Sequence, residues 1–469
     1  MKKQPLHTTS ATRVRAFALA HLALLLPLAS LAGDHYTEGN YTYYLDDNNN
    51  AVVSYYSDKS VSTALDIPDT LGGYSVIAIG NNAFASCTNL PAVTIPNGVR
   101  NIGRNAFGLC SSLTTVTIPN TVTNIGEYAF TLCSSLTNTP LPEGVAAIGR
   151  CAFARCLSLS SVHIPASVAF IDEWAFVSCY ALTSITVAGN NQHYASSDGV
   201  LFNKGLTTLV MCPSGYPGAY AIPDSVNTIA DSAFTSCTSL TSVAIHNGVT
   251  SIGASVFEHC DSLTSIGVAG GNPNYSSKDG VLFNKNRTTL IQYPNGLHGA
   301  YAIPAGVTAI GDDAFRLSIF LTAVTIPASV TAIGEGAFSE CPLLTSVLFK
   351  GNVPTDVGND VFYDTPDATV YYLPGATGWG DTFCGRPTAL WNAAFNTTAP
   401  PQTDASGAFA FSLTGNEGIP VCIEACDDLT TQNWIILTNT TMSSGGTFDF
   451  TDPDAATLPT RFYRFNFPQ

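Results

Sequence analysis

The stretch Leu90-Pro-Ala-Val93-Thr-Ile95-Pro96-Asn-Gly-Val99-Arg-Asn-Ile102-Gly103-Arg-Asn-Ala106-Phe107-Gly-Leu-Cys110 decides the fold. Its apolar-polar-apolar triplet Val93–Ile95 predicts a short half-buried strand, and the Pro and Gly that follow predict a sharp turn. Ile102, Ala106 and Phe107 then form an apolar stripe at helical spacing on a short return segment. A single unit of this kind leaves one face of its core uncovered, so it requires stacked neighbours.

The same unit recurs along most of the chain. Its Phe, which follows Ala or Val, is found at Phe84, Phe107, Phe130, Phe153, Phe176, Phe234, Phe257, Phe315, Phe338 and Phe362. The steps are 23, 23, 23, 23, 58, 23, 58, 23 and 24 residues, and each long step is one unit plus 35 further residues. Stacking such units places their strands side by side in a parallel sheet. With strands about 4.8 Å apart, the sheet has a length on the order of 50 Å.

These residues resemble the BspA-like leucine-rich repeats, whose unit reads L-x-x-V-x-I-P-x-x-V-x-x-I-G-x-x-A-F-x-x-C. The resemblance covers about residues 60–395. It implies a solenoid with a parallel sheet on its concave side and short helical or irregular return segments. It also implies a surface or secreted bacterial protein, often adhesive. The family carries no catalytic residues to transfer, so the resemblance implies a fold more firmly than a role.

The ends of the chain differ from the repeats. Residues 1–32 have the basic, apolar and small-residue regions of a signal peptide, so a secreted or cell-surface location is expected. Residues 33–66 predict a capping hairpin, residues 67–395 the solenoid, residues 396–405 a linker, and residues 406–469 a small all-β C-terminal module. A calcium loop at Asp46–Asn50 is an alternative to a plain hairpin turn, although Ala51 replaces the turn glycine that such a loop needs.

The two 35-residue additions are alike. Asp198-Gly-Val-Leu-Phe-Asn203-Lys204 recurs 81 residues later as Asp279-Gly-Val-Leu-Phe-Asn284-Lys285. An Asp-Gly turn between apolar runs predicts a hairpin-like insertion near residues 190–220 and again near 271–301. Two interpretations stay open: a ligand-contacting element that stands off the scaffold, or a variant repeat that replaces the return segment, which is favoured.

The thirteen cysteines form a pattern of their own. Eight of them lie three residues after a repeat Phe: Cys87, Cys110, Cys133, Cys156, Cys179, Cys237, Cys260 and Cys341. Packed return segments about 8–10 Å apart would keep neighbouring rungs beyond the roughly 7 Å that a disulfide allows between Cα atoms. Buried free thiols are therefore expected, and Ser318 holds the same position after Phe315. Cys151, Cys212 and Cys384 fit no pattern, and Cys422 and Cys426 bond only if a turn separates them.

Charge and motifs exclude several classes of function. Only 11% of residues are charged, 45% are hydrophobic, and the net charge is −16, which signal cleavage would make −20. Such a chain has no electrostatic attraction for nucleic acid, and no membrane insertion is expected after cleavage. No zinc, serine-hydrolase or nucleotide motif is present, so we expect no enzyme activity and no cofactor. A catalytic C-terminal module, with Glu424 and Asp428 as its acids, is the weakest alternative.

What remains is a surface. The outward strand positions predict a smooth, nearly uncharged row: Thr94, Thr117, Pro140, His163, Thr186, Ala221, Ala244, Gly267, Ala302, Thr325 and Leu348. Of these we take Thr94, Thr117, His163, Thr186 and Thr325 as the candidate concave binding face. The sequence favours a monomer that binds an extracellular protein or polysaccharide. A self-associating surface-layer component is the alternative.

Overall fold

The computed structural model describes residues 34–139, 141–391, 393–403, 407–415, 420–431, 433–443, 445–457 and 460–466. The expected signal peptide at residues 1–32 lies outside the described residues. The described residues form a succession of short strands and turns, and their helical structure is one 3-10 turn at Pro453–Thr457.

Most rungs contribute one strand to a first row of parallel strands, which we call the first sheet. It is formed by Leu65–Asp66, Ala92–Thr94, Thr115–Thr117, Ser161–Ile164, Ser184–Val187, Gly218–Ala221, Leu240–Ile245, Ser265–Val268, Gly299–Ala302, Leu321–Ile326, Ser346–Phe349, Thr369–Tyr372 and Arg386–Leu390. Thr382–Phe383 pairs antiparallel with the last of these. The row is divided into four hydrogen-bonded groups, with breaks at residue 138 and at the two variant repeats.

A second row, the second sheet, lies in the return segments. Its strands are Ala51–Tyr56, Tyr74–Ile79, Asn101–Ile102, Asn124–Ile125, Ala147–Ile148, Phe170–Ile171, Thr208–Met211, Thr228–Ile229, Ser251–Ile252, Thr289–Gln292, Ala309–Ile310, Ala332–Ile333 and Asp356–Val357. Most have two residues. Glycine follows the strand where the backbone passes close to the preceding rung. A Cβ on Gly126 would lie 2.8 Å from the Ile102 carbonyl oxygen of that rung, so this close approach requires glycine.

The Ala-Phe segments form a ladder of turns, the turn ladder, and this decides between the two return conformations that the sequence left open. The Phe107 N–H donates to the Ala129 carbonyl oxygen of the next rung at 2.8 Å, where a helix would bond within its own turn. Asn105 and Leu109 have φ values of 53° and 63°, which interrupt any helix. The return segments are irregular, because bonding between rungs satisfies the backbone.

The core lies between these three walls. Ile95 of the first sheet, Ile102 of the second sheet and Phe107 of the turn ladder are all at most 2% exposed. The Phe rings stack in a column: successive centroids from Phe84 to Phe176 are 5.0, 5.3, 5.2 and 5.4 Å apart. Each rung therefore covers the apolar face of its neighbour, as the isolated unit requires.

The thiols are free and face the backbone. All thirteen cysteines are unbonded, and Cys384 alone among them is exposed. Cys133 Sγ donates to the Phe107 carbonyl oxygen at 3.2 Å, and the same contact recurs at Cys110, Cys156, Cys179, Cys260 and Cys341. The expected spacing of 8–10 Å was wrong, because rungs without helices stack about 5 Å apart. Burial raises the pKa of Cys341 to about 12.

The N-terminal residues add antiparallel strands that close the first rung. His35–Glu38 pairs with Tyr41–Leu45, which pairs with Ala51–Tyr56, and Thr70–Leu71 pairs with Tyr74–Ile79. The Tyr56 ring stacks on Phe84 at 5.2 Å. At the turn, Asp46 Oδ1 accepts the N–H groups of Asn48 and Asn50 at 2.9 and 2.8 Å. These bonds close a hairpin turn.

Both variant repeats are built into the solenoid. In the first, Tyr194–Ser197, Val200–Asn203 and Thr208–Met211 form an antiparallel unit whose last strand joins the second sheet beside Thr228–Ile229. In the second, Tyr275–Lys278, Val281–Asn284 and Thr289–Gln292 repeat this arrangement. Val200 and Leu201 are fully buried. The hairpins are therefore part of the core rather than elements that stand off the scaffold.

After the repeats, two small antiparallel sheets form the C-terminal module. One contains Ala393–Phe395, Gln402–Thr403, Phe409–Gly415 and Thr447–Asp452. The other contains Pro420–Cys426, Ile435–Thr441 and Phe462–Asn466. Cys422 and Cys426 lie on the same extended strand, and neither is bonded.

Candidate binding face

The outward side of the first sheet carries the candidate residues in register. Thr94 is opposite Thr117, and His163 is opposite Thr186, each on adjacent parallel strands. Further along, Thr325 lies between Ala302 and Leu348. Thr94, Thr117, His163 and Thr186 are exposed, and Thr325 is half-buried. The alternation of the strands places these side chains outward because Val93 and Val116 point into the core.

His163 and Thr186 form the polar centre of this row. The His163 Nδ1 atom is 3.0 Å from the Thr186 hydroxyl oxygen. The Thr186 hydroxyl also lies 3.4 Å from the Val162 carbonyl oxygen. The row therefore offers short hydroxyl groups and one imidazole, all of which can form hydrogen bonds.

The candidate residues do not lie on one continuous hydrogen-bonded sheet. Between Thr117 and His163, the sheet continues only as a single bridge from Thr115 to Asn138, and Pro140 lies outside the described residues. Beyond Thr186, the Asp198-Gly199 turn of the first variant repeat packs against this edge, where the Gly199 carbonyl oxygen accepts the Ile185 N–H at 2.8 Å. The structure thus separates Thr94 and Thr117, His163 and Thr186, and Thr325 into three groups.

The expectation that the outward row is exposed as far as Leu348 was wrong. Leu348 is 6% exposed and belongs to a buried cluster with Trp391, Phe411, Leu413 and Val421 of the following segments. Tyr371, the next outward residue after Leu348, packs against the same cluster. The C-terminal module therefore covers this end of the first sheet. Large apolar residues at outward positions, where earlier rungs hold Thr, Ala or Gly, were the signal in the sequence.

Two acids of the C-terminal module, Glu424 and Asp428, accept hydrogen bonds within the module. Glu424 Oε2 accepts from Arg464 Nε at 2.6 Å. Asp428 Oδ1 accepts the Thr430 hydroxyl and N–H at 2.7 and 2.8 Å, and these bonds lower the pKa of that exposed carboxyl group. Among the described residues, no group of three His, Cys, Asp or Glu side chains is arranged to hold a metal ion. No described helix is long and apolar enough to cross a membrane.

A buried charge cluster on the turn ladder was not foreseen. Arg316, 6% exposed, lies 3.7 Å from Glu258 and 3.7 Å from Asp313 and donates to Glu340. Glu258 and Arg316 are 58 residues apart, one on each side of the second variant repeat. In the first variant repeat, Ser178 and Ser236 meet in a similar way, with hydroxyl oxygens 3.1 Å apart. These contacts could have been found in the sequence only by comparing the residues that follow the repeat Phe on the two sides of each 58-residue step.

Comparisons with known proteins now give the family. The model of the BspA type leucine-rich repeat region, with six copies, matches residues 55–193, 219–301 and 298–377, which is more than half of the chain. The chain belongs to the BspA-type leucine-rich repeat family. The irregular return segments and the two sheets described above are thus how this member builds its BspA-type repeats.

Solved structures that are similar to the chain include leucine-rich repeat proteins. The chain is 31% identical to a leucine-rich cell surface protein from Faecalibacterium prausnitzii, covering 69% of this chain and 97% of the other, with a TM-score of 0.46. It is 20% identical to the pneumococcal vaccine antigen PcpA over 73% of this chain and 88% of the other, with a TM-score of 0.46. A leucine-rich repeat protein from Eubacterium ventriosum is 20% identical over 76% and 100% of the two chains, with a TM-score of 0.48. No curated protein matches the chain significantly.

Proposed function

We propose that this BspA-type protein is a secreted or cell-surface binding protein without catalytic activity, which recognises an extracellular protein or polysaccharide. The observation that carries the proposal is the exposed, uncharged hydroxyl row of the first sheet, in which Thr94 faces Thr117 and His163 faces Thr186 in register. Family membership supports it, because this repeat is a scaffold that presents a surface. The F. prausnitzii relative is described as a cell surface protein, which supports the proposed location.

An extended row of short side chains favours a partner that contacts several rungs at once. Such a partner gains from many modest contacts, and Thr hydroxyl groups can both donate and accept hydrogen bonds. We therefore place recognition on Thr94, Thr117, His163, Thr186 and Thr325.

The test measures binding of purified residues 33–469 to immobilised extracellular matrix proteins and polysaccharides at physiological salt. A variant with Thr117→Arg and Thr186→Arg places two bulky charges on the exposed face. We expect it to lose at least about tenfold in affinity for whichever partner the wild type binds. The matched control is Thr123→Arg with Thr250→Arg, two exposed threonines beside the second sheet. Equal loss in both variants would remove the outward face as the site.

Light scattering of the same samples tests the alternative, a self-associating surface layer. We expect a monodisperse monomer. Concentration-dependent assembly, together with no binding to any member of the panel, would favour the layer. The location is tested by N-terminal sequencing of the exported protein, for which the proposed signal peptide predicts a first residue of Gly33.

A further inference from the structure

We propose that the second variant repeat carries a separate binding site for an acidic saccharide, a sugar unit bearing sulfate or carboxylate. The site is a half-open cleft of about 330 Å³. It is lined by Val268, Ala269, Gly270, Tyr275, Ser276, Ser277, Lys285, Asn286 and Arg287. This inference does not rest on the proposed role of the outward threonine row, because the cleft is built by a different element.

The cleft concentrates positive charge in a chain whose net charge is −16. Lys285 and Arg287 both line it and are exposed. Lys285 Nζ donates to the Gly270 and Asn272 carbonyl oxygens at 3.1 and 2.5 Å, and Arg287 Nη2 donates to the Ser277 carbonyl oxygen at 3.2 Å. These bonds tie each cation to one wall of the cleft. Each cation has further N–H donors than these bonds require, and an anion is their natural acceptor.

The first variant repeat shows which of these features the fold itself requires. Lys204 Nζ contacts the Gly189 carbonyl oxygen at 3.1 Å, as Lys285 contacts Gly270, so this lysine belongs to the shared architecture. Leu206 holds the place of Arg287: their φ values are 56° and 55°, and each N–H donates at 3.0 Å to the Asn three residues before it. The arginine is therefore not needed to build the hairpin. It adds a guanidinium group at the cleft of the second repeat.

The other charged pair of the hairpin lies at its opposite end. Lys278 and Asp279 flank the turn between Tyr275–Lys278 and Val281–Asn284, and their charges cancel. The unbalanced charge is thus that of Lys285 and Arg287. A purely apolar ligand does not fit this setting, because the cations are accompanied by the Ser276 and Ser277 hydroxyl groups.

The polar lining favours a saccharide over a simple anion. Ser277 Oγ accepts the Val268 N–H at 2.9 Å, and Ser276 Oγ donates to the Asn284 carbonyl oxygen at 2.8 Å, so both hydroxyls are fixed in place. Fixed hydroxyls and a half-buried Tyr275 ring match a ligand with several hydroxyl groups and one anionic substituent. A lone sulfate would use the guanidinium group and leave the rest of the cleft without a partner.

The test is calorimetric titration of purified residues 33–469 with three tetrasaccharides: a heparin-derived one, tetragalacturonate and neutral maltotetraose. Inorganic sulfate is the fourth probe. We expect saturable binding of at least one acidic tetrasaccharide at low salt, weakening as salt is raised. Maltotetraose and sulfate should bind at least about tenfold more weakly. The two acidic probes distinguish sulfate from carboxylate as the recognised group.

Arg287→Leu introduces the residue type that the first variant repeat has at this position, Leu206. Arg287→Gln is a second variant, which removes the charge and keeps a polar side chain. Both are expected to weaken binding about tenfold or more, with thermal unfolding unchanged. Lys278→Ser is the matched control: it removes one positive charge at the far end of the hairpin, as Ser197 does in the first repeat. The proposal is overturned if neither acidic probe binds, if maltotetraose or sulfate binds equally well, or if Lys278→Ser weakens binding as much as the Arg287 variants.

Discussion

At the scale of single residues, the position three after each repeat Phe is defined by its environment. Cysteine holds it in eight turns, each with a thiol buried against backbone. Ser318 holds it once, is fully buried, and has a hydroxyl group without a hydrogen-bond partner. Thr365 holds it after Phe362 and donates its hydroxyl to the Phe338 carbonyl oxygen at 2.7 Å. The position accepts small side chains, and the polarity of the side chain determines how much free energy its burial costs.

Ser318→Cys should stabilise the protein. The thiol tolerates an apolar site better than a buried hydroxyl without a partner, which costs about 1–3 kcal/mol. We expect a gain of about 1 kcal/mol in the free energy of unfolding, measured by denaturant titration. Cys341→Ser, the reverse change one rung later, should lose a similar amount. If Ser318→Cys destabilises the protein, a cysteine is not the preferred residue at this position.

Thiol labelling should distinguish Cys384 from the rest. It is exposed, whereas the other twelve cysteines are buried, and a hydrogen bond that the Cys87 thiol donates to Cys110, together with burial, raises the pKa of Cys87. Because the thiolate is the reactive form, native protein at neutral pH should react rapidly at one equivalent, and denatured protein at thirteen. Cys384→Ser should abolish the rapid phase. A native count well above one would mean that the turn ladder opens on the labelling timescale.

At the scale of elements, the Phe column connects the rungs. Phe130 is fully buried and stacks between Phe107 and Phe153 at 5.3 and 5.2 Å. Phe130→Ala removes contacts on both sides, so a loss of about 3–5 kcal/mol in unfolding free energy is expected by chemical denaturation. Phe170→Ala is the control, since that ring is 53% exposed and should change stability by less than about 0.5 kcal/mol. Similar losses for both would contradict a continuous core column.

The ionic contact across the second variant repeat should respond to pH. Burial raises the pKa of Glu258 to about 7, although Arg316 opposes the shift. A carboxyl group whose pKa is raised in the folded state binds its proton more readily there, so its contribution to stability falls as pH rises from about 4.5 to about 7. Glu258→Gln should remove this component. Thermal unfolding of both proteins between pH 4 and pH 8 tests it: the variant should gain stability relative to wild type as pH rises, and a constant difference would refute the assignment.

At the scale of the whole molecule, the C-terminal module and the solenoid share one core. Leu348 and Trp391 are buried with Phe411, Leu413 and Val421. Residues 33–395 alone should therefore expose an apolar patch, since each large side chain returned to water costs about 1.5–3 kcal/mol. We expect this shortened chain to bind a hydrophobic dye and to aggregate. Leu348→Thr with Tyr371→Thr, which restores the residue type of Thr325, should reduce both effects. A soluble, dye-negative shortened chain would contradict the shared core.

The sequence alone determined the repeat, the first sheet and the burial of its apolar positions. These features follow from the 23-residue period and from the alternation of apolar and polar residues. The alternation determines which side of a strand faces the core, and only stacked neighbours can cover the apolar face that each unit repeats. The helical spacing of Ile102, Ala106 and Phe107 could not reveal the turn ladder. That choice depended on hydrogen bonds between rungs, such as Phe107 to Ala129, which no single unit contains.

Only the tertiary structure decided which residues meet on the two sides of each variant repeat and which segment covers the end of the first sheet. Glu258 and Arg316 meet because a variant repeat with a short turn lies between them, and Leu348 is buried because a later module folds back onto it. Thr94, Thr117, His163 and Thr186 are exposed, yet the division of the candidate residues into three groups depended on the break near residue 138 and on the position of the variant repeats. Period and alternation are local properties that a sequence displays. Contacts between segments far apart in the chain are determined by the path of the backbone.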